Sequence, residues 1–348
     1  MMEQRRECDV HYRRDPFTGY WSIVAAERDD RPYEFPPRPP RRSDQPCPFC
    51  HEQEGRTPPS MAQWSLPGSA FPWDVNVVPN KFPAVCPLPL EPPKSDTWSG
   101  ADPPWEQSAP TEGMHEVIIE SADHRVDWSE FSSDHLALIL HAYRHRLRMA
   151  AEANLLKWGL VFKNVGPAAG ASIEHAHSQL IALRQIPPLV TLRETRAARH
   201  WERTGRCLTC DWLEWELEQG DRVVEVGPEL AVICPWFSRV AGECWIVPRQ
   251  HTCHFMDVDG DTVASLSETL AQIIPHILCG EDRAYNMVLQ TPPLNCPHPH
   301  AGHWTLQLLP RRVAVAGFEW ASGCTINTVA PETAARAMRE ATGIRCGV

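Results

Sequence analysis

One pattern of metal-ligand residues occurs twice along the chain, and it leaves little freedom in what the chain can fold into. Cys47-Pro48-Phe49-Cys50, then His124, then His175 occupy the first half; Cys207-Leu208-Thr209-Cys210, then His251, then His303 follow in the same order in the second. From His124 to His175 is 175 − 124 = 51 positions, and from His251 to His303 is 303 − 251 = 52. Two thiolates on a C-x-x-C knuckle and two imidazoles from distant segments make a closed tetrahedral donor set for Zn2+, the kind that contributes to folding. Buried thiols and core histidines are the plain alternative. In the second set His254, His298 and His300 also compete with His251 and His303.

The cysteine count supports metal over disulfides, since 13 is odd and both C-x-x-C pairs have histidines downstream. Lys and Arg number 33 against 44 Asp and Glu, a net charge of −11, which argues against a general nucleic-acid or membrane-surface binder. No apolar run reaches a membrane span, and Met1-Met2-Glu3-Gln4-Arg5-Arg6 lacks the apolar core of a secretory signal, so a cytoplasmic protein is expected.

Secondary structure repeats with the ligands. Val117 to Glu120 and Cys244 to Val247 read as strands, each ending shortly before a ligand histidine. A helix follows each: Asp134 can cap one with Leu136, Ile139, Leu140, Tyr143 and Leu147 on its stripe, and Val263, Leu266, Leu270, Ile273 and Ile277 mark the other, which Pro275 would end or kink. Strands at Gly159 to Asn164 and Ala284 to Gln290 come next. The expected fold is α+β, two tandem repeats with helices packed on an antiparallel sheet, divided as 1–185 and 186–348. The proline-rich stretch from Pro87 to Pro110 reads as an irregular surface insertion that lengthens the first half.

The two halves differ in one chemical capacity. The first carries His175-Ala176-His177-Ser178-Gln179, a His-x-His-x-Gln run; the second reads His303-Trp304-Thr305-Leu306-Gln307. On a strand His175, His177 and Gln179 share a face. His177 can attack a phosphoryl centre and hold the group covalently, while the Gln179 amide donates to a phosphate oxygen without adding charge. The small-residue loop Gly166 to Ser172 could bring backbone N–H groups close to phosphate oxygens.

These residues resemble the galactose-1-phosphate uridylyltransferase family, a nucleotidyl-transferring branch of the histidine triad superfamily. The likeness starts at Arg14-Asp15-Pro16-Phe17-Thr18-Gly19-Tyr20-Trp21 and Glu27-Arg28-Asp29-Asp30-Arg31-Pro32 and spans nearly the whole chain. It implies that His177 is the nucleophile, that Gln179 holds the nucleotidyl phosphate and that Arg28 and Arg31 face the nucleotide. It further implies that Asn80 lies on the base or ribose side, that Asn164 and Ser172 lie near the phosphate, and that Gly317-Phe318-Glu319 meets the sugar. Cys47, Cys50, His124 and His175 would bind one zinc, and Cys207, Cys210, His251 and His303 a second.

Three departures bear on the substrate. Ala176 and Ser178 replace the proline and glycine of the usual His-Pro-His-Gly-Gln; Thr305 replaces a second metal-binding histidine; Val313 lies near where a sugar-phosphate lysine is expected, beside Arg311 and Arg312. With Gly323-Cys324-Thr325-Ile326-Asn327 these features also resemble ADP-glucose phosphorylases of the same superfamily. The implied activity is therefore transfer of UMP from UDP-glucose to galactose 1-phosphate through a nucleotidyl-histidine, in galactose metabolism, with ADP-glucose phosphorolysis as the alternative. Dinucleoside polyphosphate hydrolysis and a non-enzymatic zinc scaffold stand further off. The partners implied are a nucleotide sugar, a hexose 1-phosphate and a second copy of the chain in a homodimer, with no nucleic acid or membrane.

Overall fold

The computed structural model describes residues 10–26, 28, 46–88, 105, 108–109, 111–277 and 284–343. Arg31 lies outside them, as does most of the stretch from Pro87 to Pro110. In chain order the elements are β1 (His11–Arg14), β2 (Trp21–Val24), β3 (Ala62–Trp64), β4 (Val75–Pro79), β5 (Gly113–Ile119), α1 (Ser133–Glu152), β6 (Trp158–Val165) and β7 (His177–Leu183). Then come α2 (Pro188–Thr204), α3 (Leu208–Gln219), β8 (Val223–Val226), β9 (Leu230–Ile233), β10 (Cys244–Pro248), α4 (Gly260–Ile277), β11 (Tyr285–Gln290), β12 (Thr305–Pro310), α5 (Gly317–Ser322), β13 (Thr325–Asn327) and α6 (Pro331–Thr342).

Ten strands form one sheet in the order β3-β4-β5-β7-β6-β11-β12-β10-β9-β8, and each of its named pairings is antiparallel. The order is palindromic about the β6–β11 junction. Register makes the symmetry quantitative: Phe162 pairs with Gln179, Val288 pairs with Gln307, and Phe162 and Val288 pair with each other. A local two-fold axis normal to the sheet therefore passes between Phe162 and Val288. β7 and β12, which begin two residues after His175 and His303, consequently present their equivalent residues on the same face. A separate sheet, β1-β2-β13, joins the N-terminal hairpin to the C-terminal segment, with β13 parallel to β2.

The opposite face is the main core. Alternation in the strands sends Ile118, Leu180, Val161, Met287, Leu306 and Ile246 toward α1, α4 and α6, where they meet Leu136, Ile139, Leu140, Leu270 and Ile273. Burying each such side chain is worth about 1.5–3 kcal/mol, which is why these amphipathic helices dock as the periodicity requires. Ser132, not Asp134, caps α1: its side chain accepts from the His135 N–H, leaving Asp134 in the first turn. Pro275 does not end α4, which runs through it to Ile277, because a proline in the last turn disrupts little helix beyond it. No helix among the described residues is long and apolar enough to cross a membrane.

Candidate active site and metal centres

Both metal-ligand sets assemble. The donor atoms of Cys47, Cys50, His124 and His175 all lie within 4.8 Å of one another, and so do those of Cys207, Cys210, His251 and His303. Each C-x-x-C opens a turn of helix: Cys50 caps a 3-10 turn, His51–Arg56, and Cys207 caps α3 with Cys210 in its first turn, so backbone N–H groups favour thiolates there. In the first set His175 Nε2–H donates to Ser121 O at 2.9 Å, which turns Nδ1 toward Cys47 Sγ at 3.6 Å and Cys50 Sγ at 3.7 Å. Fixing the far ring nitrogen on a carbonyl is what a metal-bound imidazole requires. Burial holds His175 down at about 4, so the ring is neutral and ready to ligate. Burial and the neighbouring Cys47 push the Cys50 thiol up to about 11, as expected of two thiols crowded together.

The second set has the same donors and one difference. His251 Nε2 donates to Pro299 O at 3.1 Å, but His303 Nε2 is buried with no partner among the described residues. None of the three competing histidines belongs to the group; His254 Nε2 bonds Pro293 O at 2.8 Å and His300 stacks on Trp201. An unsupported ligand ring weakens a site about 10- to 100-fold. In a chelator titration read by metal release, the C-terminal metal is thus expected to leave at about 10- to 100-fold lower chelator than the N-terminal one; simultaneous loss would refute this.

β7 begins at His177. The strand's alternation points His177 and Gln179 away from the helices, and the register pairing Phe162 with Gln179 brings Asn164 opposite His177. His177 is buried beside Phe49, ring centroids 5.2 Å apart. Its Nδ1 lies 2.8 Å from His175 O, and a carbonyl only accepts, so Nδ1 carries the proton and Nε2 the free lone pair. Burial lowers its proton affinity, with the Lys163 ammonium adding to the effect. A neutral imidazole with Nε2 free is the nucleophilic form.

Behind His177 lies a buried polar cluster that the sequence did not single out. Glu120 takes hydrogen bonds from Lys163 Nζ and Ser178 Oγ, from Trp128 Nε1 at 3.0 Å and from Tyr143 OH at 2.7 Å. Lys163 Nζ also reaches His177 O at 3.3 Å. Nearby, Arg146 and Glu116 form a second buried, bidentate pair at 2.8 and 2.6 Å. Both motif departures acquire a physical reason here. Ala176 N–H donates to Arg125 O at 2.6 Å, a bond proline cannot make, and the Ser178 hydroxyl, which glycine lacks, reaches both Glu120 and Tyr143.

Other expected residues are distributed unevenly. Asn80 joins the site, its Nδ2 3.4 Å from Gln179 Oε1. Asn164 Oδ1 accepts from Asn286 Nδ2 at 2.8 Å, and Asn286 also holds Ala169 O at 2.9 Å, tying the Gly166–Gly170 turn to the sheet. Gly166 and Gly170 adopt φ of 78° and 87°, a conformation that disfavours side chains. Ser172 is exposed on the following loop. Arg28 is exposed after β2, with its N–H on Ala25 O, and Gly317-Phe318-Glu319 opens the exposed α5, where Glu319 accepts from Ala316 N–H at 3.0 Å. No described contact links Arg28 or α5 with His177.

The equivalent place in the second half is filled. Phe17 packs on Trp212, Phe237 and Trp245 with centroids 5.5, 5.7 and 5.5 Å away, under α3. Gln307 donates through Nε2 to Thr305 Oγ1 at 3.2 Å and accepts from Arg239 Nη2 at 2.8 Å, so both ends of its amide are used.

A buried neutral histidine beside a Cys2His2 set, on one half of a duplicated sheet, is the arrangement of a nucleotidyltransferase of the histidine triad superfamily. The profile of "Galactose-1-phosphate uridyl transferase, N-terminal domain" matches residues 1–187, and the chain belongs to that family. It is 32% identical to ADP-glucose phosphorylase of Arabidopsis thaliana over 335 residues, 94% of this chain and 92% of that one. It is 23% identical to galactose-1-phosphate uridylyltransferase of Thermotoga maritima over 345 residues, 95% and 98% of the two chains. A crystal structure of the Arabidopsis thaliana ADP-glucose phosphorylase with bound ADP-glucose superposes with a TM-score of 0.79 at 29% identity, covering 95% of this chain and 99% of the other.

Proposed function

We propose that the protein moves a nucleotidyl group from a nucleotide sugar through a covalent adduct on His177, with ADP-glucose as donor and inorganic phosphate as acceptor. The observation that carries the choice of adenylyl is the 32% identity to an ADP-glucose phosphorylase over 94% of the chain. In the first step His177 Nε2 bonds the α-phosphorus and the bond to the hexose 1-phosphate oxygen breaks, releasing glucose 1-phosphate. In the second, a phosphate oxygen attacks the same phosphorus, the N–P bond breaks, and ADP leaves with the imidazole restored. Throughout, Nδ1–H stays on His175 O, which steadies the positive charge that grows on the ring. The Gln179 amide donates to a phosphoryl oxygen, and Asn164, opposite His177, lies within the same face. Arg28 and Arg31 would neutralise phosphate charge. A zinc ion on Cys47, Cys50, His124 and His175 would anchor the start of β7, with no open position for substrate.

A second reading, UMP transfer from UDP-glucose to galactose 1-phosphate, is favoured by the family profile over residues 1–187 and uses the same histidine. A donor panel separates them. With α-32P-labelled donors and no acceptor, label on the protein is expected from ADP-glucose, and phosphate should discharge it as ADP. Labelling by UDP-glucose alone, discharged only by galactose 1-phosphate, would reverse the choice, and no label from either would sink both.

A further inference from the structure

Gln179 can serve a phosphate only if the right end of its amide faces the site. In β5, two residues before Val117, which pairs with Gln179, stands His115. Its Nδ1 accepts the backbone N–H of Ala84 at 3.0 Å, and since a backbone N–H can only donate, the neutral ring must carry its proton on Nε2. That nitrogen lies 2.8 Å from Gln179 Oε1, so it donates there, and the amide oxygen is fixed against β5. Asn80 faces the same oxygen. Its Oδ1 is taken by Phe82 N–H at 2.9 Å, so its Nδ2, 3.0 Å from His115 Nε2, can direct a hydrogen only toward Gln179 Oε1 at 3.4 Å. Gln179 stands on the same strand face as His177, and its Nε2 has no partner among the described residues.

The second half shows what the alternative looks like. Trp245 pairs with Gln307 as Val117 pairs with Gln179, so the position matching His115 is Glu243. Glu243 takes the Arg239 guanidinium at 3.0 and 2.6 Å, and Arg239 in turn caps Gln307 Oε1 at 2.8 Å while Gln307 Nε2 turns inward to Thr305 at 3.2 Å. The glutamine is present in both halves; the imidazole that leaves its N–H2 free is present in one.

We propose that His115 is a positioning residue of the transfer reaction, acting only through Gln179 by locking the amide with Nε2 toward the α-phosphoryl oxygen. This rests on the reading of Gln179 as the phosphate-holding group. The test is a double-mutant cycle on the single-turnover rate of His177 labelling by α-32P ADP-glucose, using the full-length protein. His115→Ala is expected to slow labelling about 10- to 100-fold, and Gln179→Ala about 100-fold or more. The combined variant should be no slower than Gln179→Ala alone, and His115→Gln, whose side-chain amide can reach the same oxygen as a donor, should recover most of the rate. Additive losses in the double variant, or an unchanged rate in His115→Ala while Gln179→Ala is slow, would overturn the proposal. A full rate in Gln179→Ala would instead remove the role of Gln179 itself, and the role of His115 with it.

Discussion

His177→Ala is expected to abolish labelling of the protein by α-32P ADP-glucose and to lower turnover by about 10,000-fold or more, while metal content and unfolding midpoint stay close to wild type. The size follows from what the residue does. A covalent route replaces one difficult displacement by two easier ones, and removing its nucleophile returns the reaction to direct attack by phosphate on the α-phosphorus of a phosphoanhydride. Stability should change little, because among the described residues the side chain's one hydrogen bond is Nδ1–H to His175 O and its ring rests against Phe49 at the edge of a cluster held by the sheet. Thr305→His, its counterpart, should not create a second labelled site. Trp245, which pairs with Gln307, packs with Phe17 and Trp212 on that face, and Gln307 Oε1 is held there by the Arg239–Glu243 pair rather than by an imidazole. Label on Thr305→His in a His177→Ala background would refute the account of the second half as a filled copy, and normal turnover by His177→Ala would refute the mechanism outright.

What the sequence could reveal here depended on whether a residue's role is set by neighbours in the chain or by neighbours in space. The Cys and His ligands were legible because zinc chemistry restricts donor type and the duplication imposes nearly equal spacing, so two partial patterns reinforce each other. The contrast of His177 with Thr305 was legible for the same reason. The polar residues behind the active strand were not. Lys163 sits in Val161-Phe162-Lys163-Asn164-Val165, where a charge reads as an outward-facing position, yet it is 1% exposed and faces the helices. Only the fold brings Glu120 from the end of β5, Tyr143 from α1 and Ser178 from β7 around it. His115 was missed likewise, since its function lies in which ring nitrogen Ala84 occupies. The capping of α1 by Ser132 rather than Asp134 is a smaller case, in which two adjacent acceptors suit the same helix start and local geometry selects one.

Lys163→Met is expected to lower the free energy of unfolding by about 3–5 kcal/mol, the cost of leaving a buried carboxylate without its cation. Lys163 and Glu120 are 1% and 0% exposed in their side chains, so water cannot replace the lost partner. Methionine fills most of the lysine stem's volume, so the loss reports charge and hydrogen bonding more than a cavity. Lys163→Met/Glu120→Gln should recover at least half of it, because the glutamine oxygen can still accept from Trp128 while its N–H2 donates to the Tyr143 and Ser178 hydroxyls, and no bare charge remains. The effect also carries a pH signature. Burial pushes the Glu120 carboxyl up, but the Lys163 ammonium and the Ser178 and Tyr143 hydroxyls pull it down further, leaving it below its ordinary value. The unfolded chain then binds the proton more readily than the fold. Stability from the pair is accordingly complete above the unfolded carboxylate value of about 4.3 and is lost as pH falls through the lower folded value. In urea titrations across pH, the gap between wild type and Lys163→Met should close in acid, below about pH 4, and widen as pH rises above it, because Glu120 in the variant has lost the cation that offsets burial. A gap that instead closes toward alkaline pH from pH 7, or a double variant no more stable than Lys163→Met, would show that the pair does not hold this end of β7 in the way its geometry indicates.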